Sequence, residues 1–310
     1  MSETEENMTL QTRQFDVATL GNYTKDTIVT AAGTQHADGG GVNYAAHAAH
    51  LLGCDVAAIM RLAAEDFHVV RSLEEAGITV FATAAPTSSL MRLEYPTDNP
   101  DERILTMETT AGSFNPEEVR PIDARAFVIS PSIRGEVPIE TIQELRAKNT
   151  MISADAQGFI RVRRSDGRLE HAAWPEQEKV LALIDILKAD VVEAEALTGI
   201  SDIKDAARAL AALGPREIVI THRDGIVVLA DGMVSEAEFH ATSMAGRSGR
   251  GDTCIGSYVA ARLEYPPEEA ILWSAATTSL KIEIPGPIHR PYEEVVGLIE
   301  KHYKGAFSQR

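Results

Sequence analysis

The most informative stretch of the sequence lies between residues 246 and 253, where three glycines and two arginines precede Asp252. Apolar residues recur at helical spacing after Thr253, which places the glycines at the N-terminus of a predicted helix. Unpaired backbone N–H groups and the helix dipole make such an end a site for anions such as phosphate. The spacing is that of a P-loop, except that Asp252 stands at the lysine position. A carboxylate there repels phosphate and suits proton abstraction from a hydroxyl group.

A simpler interpretation of Asp252 is that it caps the helix. Asp is a favoured N-cap residue, and such a cap contributes about 1 kcal/mol to stability. A cap alone needs none of the glycines and arginines that come just before Asp252. These neighbours therefore favour the anion site.

An α/β framework is predicted to hold this segment. Short β-rich runs are predicted as buried strands at residues 15–20, 56–60, 126–130, 151–154 and 217–221. Amphipathic helices are predicted at residues 44–52, 67–76, 139–147 and 203–213. This alternation indicates a mostly parallel sheet. A hairpin is also predicted, formed by residues 217–221 and 226–230.

Two segments interrupt the alternation, at about residues 27–39 and 89–110. Both contain β-formers, small residues and turn signals with little helical periodicity, so we expect strands outside the main sheet, as a flap over one edge. Residues 1–14 are acidic and lack apolar periodicity, which predicts a disordered leader. No repeat or long linker divides the rest, so residues 15–310 are expected to form one domain.

Composition excludes several classes of partner. The chain has 310 residues and a formal net charge of −17, which repels nucleic acid and anionic membrane surfaces. Its two cysteines cannot form a disulfide framework or a cysteine-based zinc site. The N-terminal residues do not resemble a secretion signal, and no apolar run is long enough for a membrane helix. These features predict a cytoplasmic protein.

The string Gly249 to Asp252 resembles Gly-Ala-Gly-Asp, which closes the signature of the ribokinase-like, or PfkB, family of carbohydrate and nucleoside kinases, in three of four positions. Residues 21–26 resemble the family's Gly-Asn-x-x-x-Asp after the first strand, and residues 39–46 resemble its di-glycine motif. The matches cover nearly the whole chain. The resemblance implies a doubly wound sheet with helices on both faces, and a small β lid from the two irregular segments.

The resemblance also implies roles for individual residues. The residues that would bind the substrate are Asn22, Asp26, Gly40, Gly41, Asn43 and Arg161. The residues that would bind nucleotide are Thr221, Gly225 and Glu195, with Glu195 also placing Mg²⁺ through water. Two alternatives stay open, namely that the glycines only form a tight helix-entry turn and that Glu195 is a solvated residue on a helix face.

Where the family signature opens with Asp-Thr this chain has Gly246-Arg247, and the Asn of the family's Asn-x-x-Glu motif is matched to Val192. The catalytic residues implied are Asp252 as the base and the turn Gly249, Arg250 and Gly251 as the anion hole, with Arg250 or Arg247 adding positive charge.

The implied activity is transfer of the γ-phosphate of ATP, with Mg²⁺, to a hydroxyl of a sugar or polyol. Residues 154–161 and the Gly-Arg-Ser-Gly-Arg-Gly-Asp string look like the inositol and polyol kinase branch. A nucleoside kinase, or a catalytically weak binding or regulatory protein on the same scaffold, is the alternative. A homodimer paired through the edge of the lid sheet is the expected macromolecular partner.

Overall fold

The computed structural model describes residues 13–31, 33–97, 104–246 and 248–303, so residues 1–12 of the predicted leader and Arg247 lie outside the described residues. The strands are β1 (Gln14–Leu20), β2 (Thr24–Thr30), β3 (Gly33–Gly39), β4 (Val56–Ala63), β5 (Thr79–Ala85), β6 (Ser89–Glu94), β7 (Ile104–Thr109), β8 (Asp123–Ile129), β9 (Met151–Asp155), β10 (Arg161–Arg163), β11 (Leu169–His171), β12 (Ile186–Asp190), β13 (Glu217–Thr221), β14 (Gly225–Ala230) and β15 (Met233–Glu238).

The helices are α1 (Gly41–Leu51), α2 (His68–Glu75), α3 (Pro116–Val119), α4 (Ile139–Arg146), α5 (Gln157–Ile160), α6 (Gln177–Leu181), α7 (Val191–Thr198), α8 (Ile203–Ala211), α9 (Arg250–Arg262), α10 (Pro267–Ile282) and α11 (Tyr292–His302), with one 3-10 turn at Ala64–Asp66. None of the described helices combines the length and the apolar character that crossing a membrane requires. The elements alternate between strand and helix along most of the chain, as the sequence predicts.

Within the described residues, the central sheet has nine strands in the order β15-β14-β13-β12-β9-β8-β1-β4-β5. The seven strands from β13 to β5 are parallel, and β14 and β15 extend one edge in antiparallel orientation. The predicted fold class is therefore confirmed. The predicted hairpin is confirmed as well, because β13 pairs with β14 from Glu217 beside Ala230 to Thr221 beside Ile226.

Apolar side chains of the central strands face both sides of the sheet. In β8, Phe127 and Ile129 join the core on one face, and Ala126 and Val128 join the core on the other face. A strand buried on both faces reads as a continuous apolar run, and helices must cover each face. This explains why the strands that the sequence identifies are the apolar runs.

A second sheet has the order β3-β2-β6-β7 and uses the two segments predicted to lie outside the main sheet, although β2 begins at Thr24 rather than near residue 27. It is joined to the main domain through Asp66. The Lys25 ammonium lies 2.9 Å from one oxygen of Asp66, and the Ser88 hydroxyl donates to the other oxygen at 2.6 Å. The role of this sheet as a lid stays a prediction.

Candidate active site

Asn22 and Asp252, two of the residues singled out in the sequence, lie at the carboxyl ends of the parallel strands, together with polar residues that the sequence did not single out. Asn22 follows β1, Ser130 follows β8, Asp155 ends β9 and Asp190 ends β12. Asp252 approaches the same edge from the first turn of α9. In open α/β sheets, the crevice beyond the carboxyl ends of the strands is where ligands bind.

Asp252 does not cap α9. The N-cap residue is Gly249, which has φ of 77° and has no side chain that could cap the helix. Asp252 is the third residue of the helix. Its Oδ1 atom is buried and has no hydrogen-bond partner among the described residues. The N-cap interpretation is therefore wrong, and the carboxylate is left with an unused acceptor that faces the site.

Burial raises the pKa of Asp252 to about 6, and the charge of Asp155 acts in the same direction. The cations of Lys188 and Arg161 oppose this shift. Burial disfavours the charged form of a carboxyl, and nearby cations favour it. The result is a carboxylate that is ionised at neutral pH yet more basic than an exposed Asp, as a general base requires.

The glycine loop before α1 lies against Asp252. A Cβ atom placed on Gly41 would be 2.5 Å from Asp252 Oδ1 and 2.6 Å from Ser130 Cβ. Gly40 has φ of 95°, and a Cβ there would be 2.6 Å from the carbonyl oxygen of Asn22. Both glycines are needed for this close approach, so they do more than open the helix.

Helices α1 and α9 hold these two parts of the site together. Their backbones come nearly into contact, since a Cβ atom on Gly256 would be 2.5 Å from the carbonyl oxygen of Ala45. Both helices are buried along the contact. The position of Asp252 relative to Gly41 is therefore fixed by backbone packing.

Three further buried polar atoms at this edge lack a partner among the described residues. They are Asn22 Oδ1, Asn43 Oδ1 and Ser130 Oγ. The amide nitrogens of the two asparagines are used, because Asn22 donates to the carbonyl of Gly112 at 2.8 Å and Asn43 donates to that of Asp38 at 3.1 Å. An unsatisfied buried polar group costs about 1–3 kcal/mol, so hydroxyl groups of a ligand would stabilise these atoms.

Asp26 lies next to this group of acceptors. Its carboxylate accepts a hydrogen bond from the Thr24 hydroxyl at 2.7 Å, and a Cβ on Gly39 would overlap its oxygens. Burial raises the pKa of Asp26 to about 7, the Thr24 bond lowers it, and the charge of Asp252 raises it further. The negative charge of Asp252 therefore disfavours ionisation of Asp26 across the site.

Glu136 holds the backbone of Asn22 in place, a role that the sequence did not predict. It is fully buried, and its two oxygens accept from the backbone N–H groups of Asn22 at 2.6 Å and Ser132 at 3.1 Å. Burial raises its pKa to about 7, and these backbone bonds lower it. The sequence signal is weak, because Glu136 looks like a loop residue between β8 and α4.

Cations collect on the other side of Asp252. Lys188 is buried, and its Nζ lies 3.0 Å from Asp155 Oδ2 and 3.8 Å from Glu193 Oε2. Burial lowers the pKa of Lys188, but the charges of four carboxylates together outweigh burial and the net shift is upward; they are those of Asp155, Glu193, Asp190 and Asp252. A Cβ on Gly251 would be 2.5 Å from this Nζ, so the glycine turn runs directly over the lysine.

Arg161 and Arg250 complete this side of the site. Arg161 is buried, and its guanidinium donates to Gln157 Oε1 at 2.7 Å. Arg250 is the first residue of α9 and is partly exposed. A turn of backbone N–H groups with buried cations beneath it suits a phosphate group.

The structure does not bring Glu195 into this cluster. Its side chain is exposed and accepts from the Ser201 hydroxyl at 2.6 Å, as the solvated-face alternative expects. The buried carboxylate of α7 is Glu193, which forms a capping box with Asp190. The predicted Mg²⁺ and nucleotide role therefore does not fit Glu195, and Glu193 becomes the candidate on α7 in its place. The sequence signal for Glu193 is the Asp-x-x-Glu spacing of a capping box.

Thr221 and Gly225 lie at the two ends of the β13–β14 turn. Thr221 is buried beside Asp190, and His222 N–H donates to the Gly225 carbonyl at 2.9 Å. A Cβ on Gly225 would overlap the carbonyl oxygen of Ala237 in β15, so strand packing already explains this glycine. The predicted nucleotide-binding role of both residues stays a prediction.

Comparisons with known proteins agree with this geometry. The sequence model of the pfkB family of carbohydrate kinases matches residues 10–294. No curated protein sequence matches the chain significantly.

Among solved structures, a pyrophosphate-dependent kinase in the ribokinase family, complexed with a pyrophosphate analog and myo-inositol, is 32% identical with a TM-score of 0.84, covering 91% of this chain and 99% of that chain. A sulfate complex of a pyrophosphate-dependent kinase in the ribokinase family is 33% identical with a TM-score of 0.84, covering 90% and 99%. Ribokinase of Arabidopsis thaliana with ribose and ATP is 17% identical with a TM-score of 0.74 over 93% and 99%, a likeness in fold. The family match over nearly the whole chain and the relatives above 30% identity show that this chain belongs to the pfkB family of carbohydrate kinases.

Proposed function

We propose that this protein transfers a phosphoryl group to one hydroxyl of a cyclic polyol of the myo-inositol type. The observation that carries the proposal is a set of four buried polar atoms that find no partner within the described part of the chain, namely Asn22 Oδ1, Asn43 Oδ1, Ser130 Oγ and Asp252 Oδ1. Several adjacent hydroxyls on one small ring would satisfy them together. The similar kinase bound to myo-inositol supports the same class of acceptor.

We further propose that pyrophosphate, rather than ATP, is the donor. The side of the site that would hold the donor offers the glycine turn and buried cations, which recognise phosphate groups of either compound. The features expected for a nucleotide are weaker here, because strand packing against β15 already explains Gly225. Two pyrophosphate-dependent relatives at 32% and 33% identity support pyrophosphate. The fold shared with an ATP-bound ribokinase keeps ATP as the second candidate.

In the proposed reaction, Asp252 accepts the proton of the polyol hydroxyl as its oxygen attacks the terminal phosphorus of the donor. The bond from phosphorus to the bridging oxygen of the donor breaks, and inorganic phosphate leaves when pyrophosphate is the donor. Negative charge spreads over the transferred oxygens in the transition state. The N–H groups of Gly249, Arg250 and Gly251 and the buried cations beneath them would stabilise this charge.

Mg²⁺ would come to the site with the donor. It prefers phosphate and water oxygens with one or two carboxylates, and when bound it neutralises phosphate charge. Asp190, at the end of β12, and Glu193, in the first turn of α7, are carboxylates that fit such a role through water, whereas the solvent-facing Glu195 does not fit. The described residues contain no group of three or more His, Cys, Asp or Glu side chains that could hold a metal alone.

The test is a panel of donors and acceptors with wild-type protein. Pyrophosphate or ATP is combined with Mg²⁺ and with inositols, pentoses, hexoses or nucleosides, and transfer is followed by phosphorus NMR of the phosphorylated acceptor. Transfer from pyrophosphate to an inositol is the expected result. Transfer from ATP alone overturns the donor assignment, and transfer to a nucleoside overturns the acceptor assignment. Binding of an inositol without transfer from either donor favours the regulatory alternative.

The pH dependence of transfer follows from the pKa of Asp252. A base must be unprotonated to accept a proton, so kcat/KM is expected to fall as the pH drops through about 6. A profile of kcat/KM against pH measures this limb. The Asp252→Asn variant is the control, since its residual activity should lack the limb. A wild-type profile that stays flat below about pH 5 would contradict the assignment.

Replacing Glu136 by Gln is expected to weaken acceptor binding and lower stability. The amide of Gln can accept only one of the two backbone N–H bonds, from Asn22 and Ser132, and its NH₂ group would face the other donor. One buried donor is then unsatisfied, which costs about 1–3 kcal/mol of unfolding free energy. Urea unfolding and the KM for the acceptor measure both effects. Glu140→Gln, an exposed change on α4, is the control and should alter neither.

The cytoplasmic location and the homodimer paired through the lid sheet stay predictions.

A further inference from the structure

Lys281 is a buried lysine that pairs with backbone rather than with a carboxylate. It lies in the last turn of α10, and its side chain is inaccessible to solvent. Its Nζ donates to the carbonyl oxygens of Gly246 at 2.8 Å and Ile284 at 3.2 Å. Lys188, the other fully buried lysine of the site, pairs with Asp155. Among the described residues, no carboxylate lies within ion-pair distance of Lys281.

The place of Lys281 explains why a cation is held there. Carbonyl groups at the C-terminus of a helix carry partial negative charge and attract cations. The carbonyl of Ile284, two residues past the end of α10, and the carbonyl of Gly246 both point at the ammonium, so two acceptors face one buried point. The Gly246 N–H also donates to the carbonyl of Ile282 at 2.7 Å, and a Cβ on Gly246 would overlap the carbonyl of Ile284. The start of the glycine turn therefore packs directly against the end of α10.

The ammonium group of Lys281 also lies over the ring of Tyr44, which packs against the glycine turn. Its Nζ lies 5.3 Å from the centroid of the Tyr44 ring, within the range of a cation–π interaction. Tyr44 is the residue that a Cβ on Gly249 would strike. Lys281 therefore touches what holds the turn at both ends, Gly246 at its start and Tyr44 beneath Gly249.

We infer that the ammonium of Lys281 acts as an internal cation that positions the glycine turn, from Gly246 to its phosphate-binding part Gly249–Gly251, to bind the phosphate of the donor. Lys281 is a positioning residue: it contacts carbonyl groups behind the turn, which leaves the N–H groups of Gly249, Arg250 and Gly251 for the donor. This inference rests on the proposed phosphoryl transfer and adds the component that orders its anion site.

The electrostatic surroundings fit this role. Burial lowers the pKa of Lys281 to about 8, and the charge of Asp252 raises it. The groups that face it are Tyr44 of α1 and Asp252 of α9. At neutral pH the group is therefore still protonated, and two carbonyl oxygens and the face of the Tyr44 ring surround it.

The experiment compares Lys281→Ala with Lys281→Met, with and without added ammonium chloride. Lys281→Ala removes the cation and leaves space between the two carbonyl groups, whereas Lys281→Met removes the cation but fills the space. We expect kcat in both variants to fall about 100-fold, as for a small misplacement of catalytic groups. Ammonium should restore activity to Lys281→Ala, and neither Lys281→Met nor wild type should respond. Tetramethylammonium, which is too large for the space, should restore nothing.

Two readouts separate this inference from the proposed function. Calorimetry with pyrophosphate should show weaker binding to Lys281→Ala that ammonium restores, and ammonium should raise the Tm of this variant only. These results stand even if wild type transfers no phosphate to any acceptor, an outcome that would count against the proposed function alone. Pyrophosphate affinity and Tm of Lys281→Ala that do not respond to ammonium would overturn the role of Lys281. If Lys281→Ala does not fold without ammonium, recovery of folding on its addition supports the internal cation, and no recovery refutes it.

Discussion

Replacing Asp252 by Asn is expected to lower kcat by about 10²–10⁴-fold, the usual contribution of a general base. The amide keeps the shape of the carboxylate in the first turn of α9 but cannot take a proton from the acceptor hydroxyl. Its Oδ1 position, which faces Gly41 and Ser130, can still accept a hydrogen bond. The KM for the acceptor should therefore change much less than kcat. Steady-state rates with the best donor and acceptor measure both constants.

Asp205→Asn is the matched control for this change. Asp205 is, like Asp252, the third residue of its helix, but it is exposed on α8, so the same loss of charge there should leave kcat unaltered. A tenfold or smaller loss of kcat in Asp252→Asn would show that Asp252 is not the base.

The Asn variant should also be more stable than wild type at high pH. The pKa of Asp252 in the folded protein, about 6, lies above its ordinary value of 3.8. A raised pKa means that the ionised form is disfavoured by folding, so the destabilisation grows as the pH rises through this range. The gain in Tm from Asp252→Asn should be larger at about pH 8 than at about pH 4.

Replacing Gly249 by Ala is expected to abolish most activity through two effects. The residue has φ of 77°, a conformation that costs an L-residue roughly 1–2 kcal/mol. In addition, the new Cβ would overlap the ring of Tyr44, which must move or push the turn away from the donor. A displacement of the turn by about 1 Å would cost about 100-fold in kcat.

Gly199→Ala separates these two effects. Gly199 has φ of 71° and also stands at a helix end, but a Cβ there meets nothing within 4 Å. This control should lose about the same stability in urea unfolding, because the strain of the left-handed conformation is shared. It should keep its kcat. Equal losses of kcat in the two variants would show that the close contact with Tyr44 is not the cause of the loss in Gly249→Ala.

Much of the fold could be predicted because its central strands are continuous apolar runs. The strand β12 escaped this criterion, since a buried strand rarely contains the charged residues Lys188 and Asp190. The strand β5 is partly exposed along most of its length and consists largely of Ala and Thr, so it shows neither a run nor an alternation. Strands at an edge, or with a functional charge inside, are poorly predicted by hydrophobicity alone.

The site was predictable where one segment carries the chemistry, as Gly249 to Asp252 does. It was not predictable where distant residues create the environment. The choice between Glu193 and Glu195 depends on which side of α7 faces Lys188. Glu136 and Lys281 bind backbone groups that only the folded chain brings to them. Local spacing therefore pointed to the proposed base, Asp252, but not to the residues that position its neighbours.

The near contact of the backbones at Gly256 and Ala45 restricts how this enzyme can acquire a new acceptor. Asp252, the proposed base at the start of α9, and the glycine loop at the start of α1 are held together by this contact, so an adaptive change in either helix would displace both. Divergence of acceptor preference should therefore be concentrated in β2, in β6 and in the segment after β8. Directed evolution toward a different polyol is expected to collect its substitutions there, with the helix contact unchanged in every improved clone.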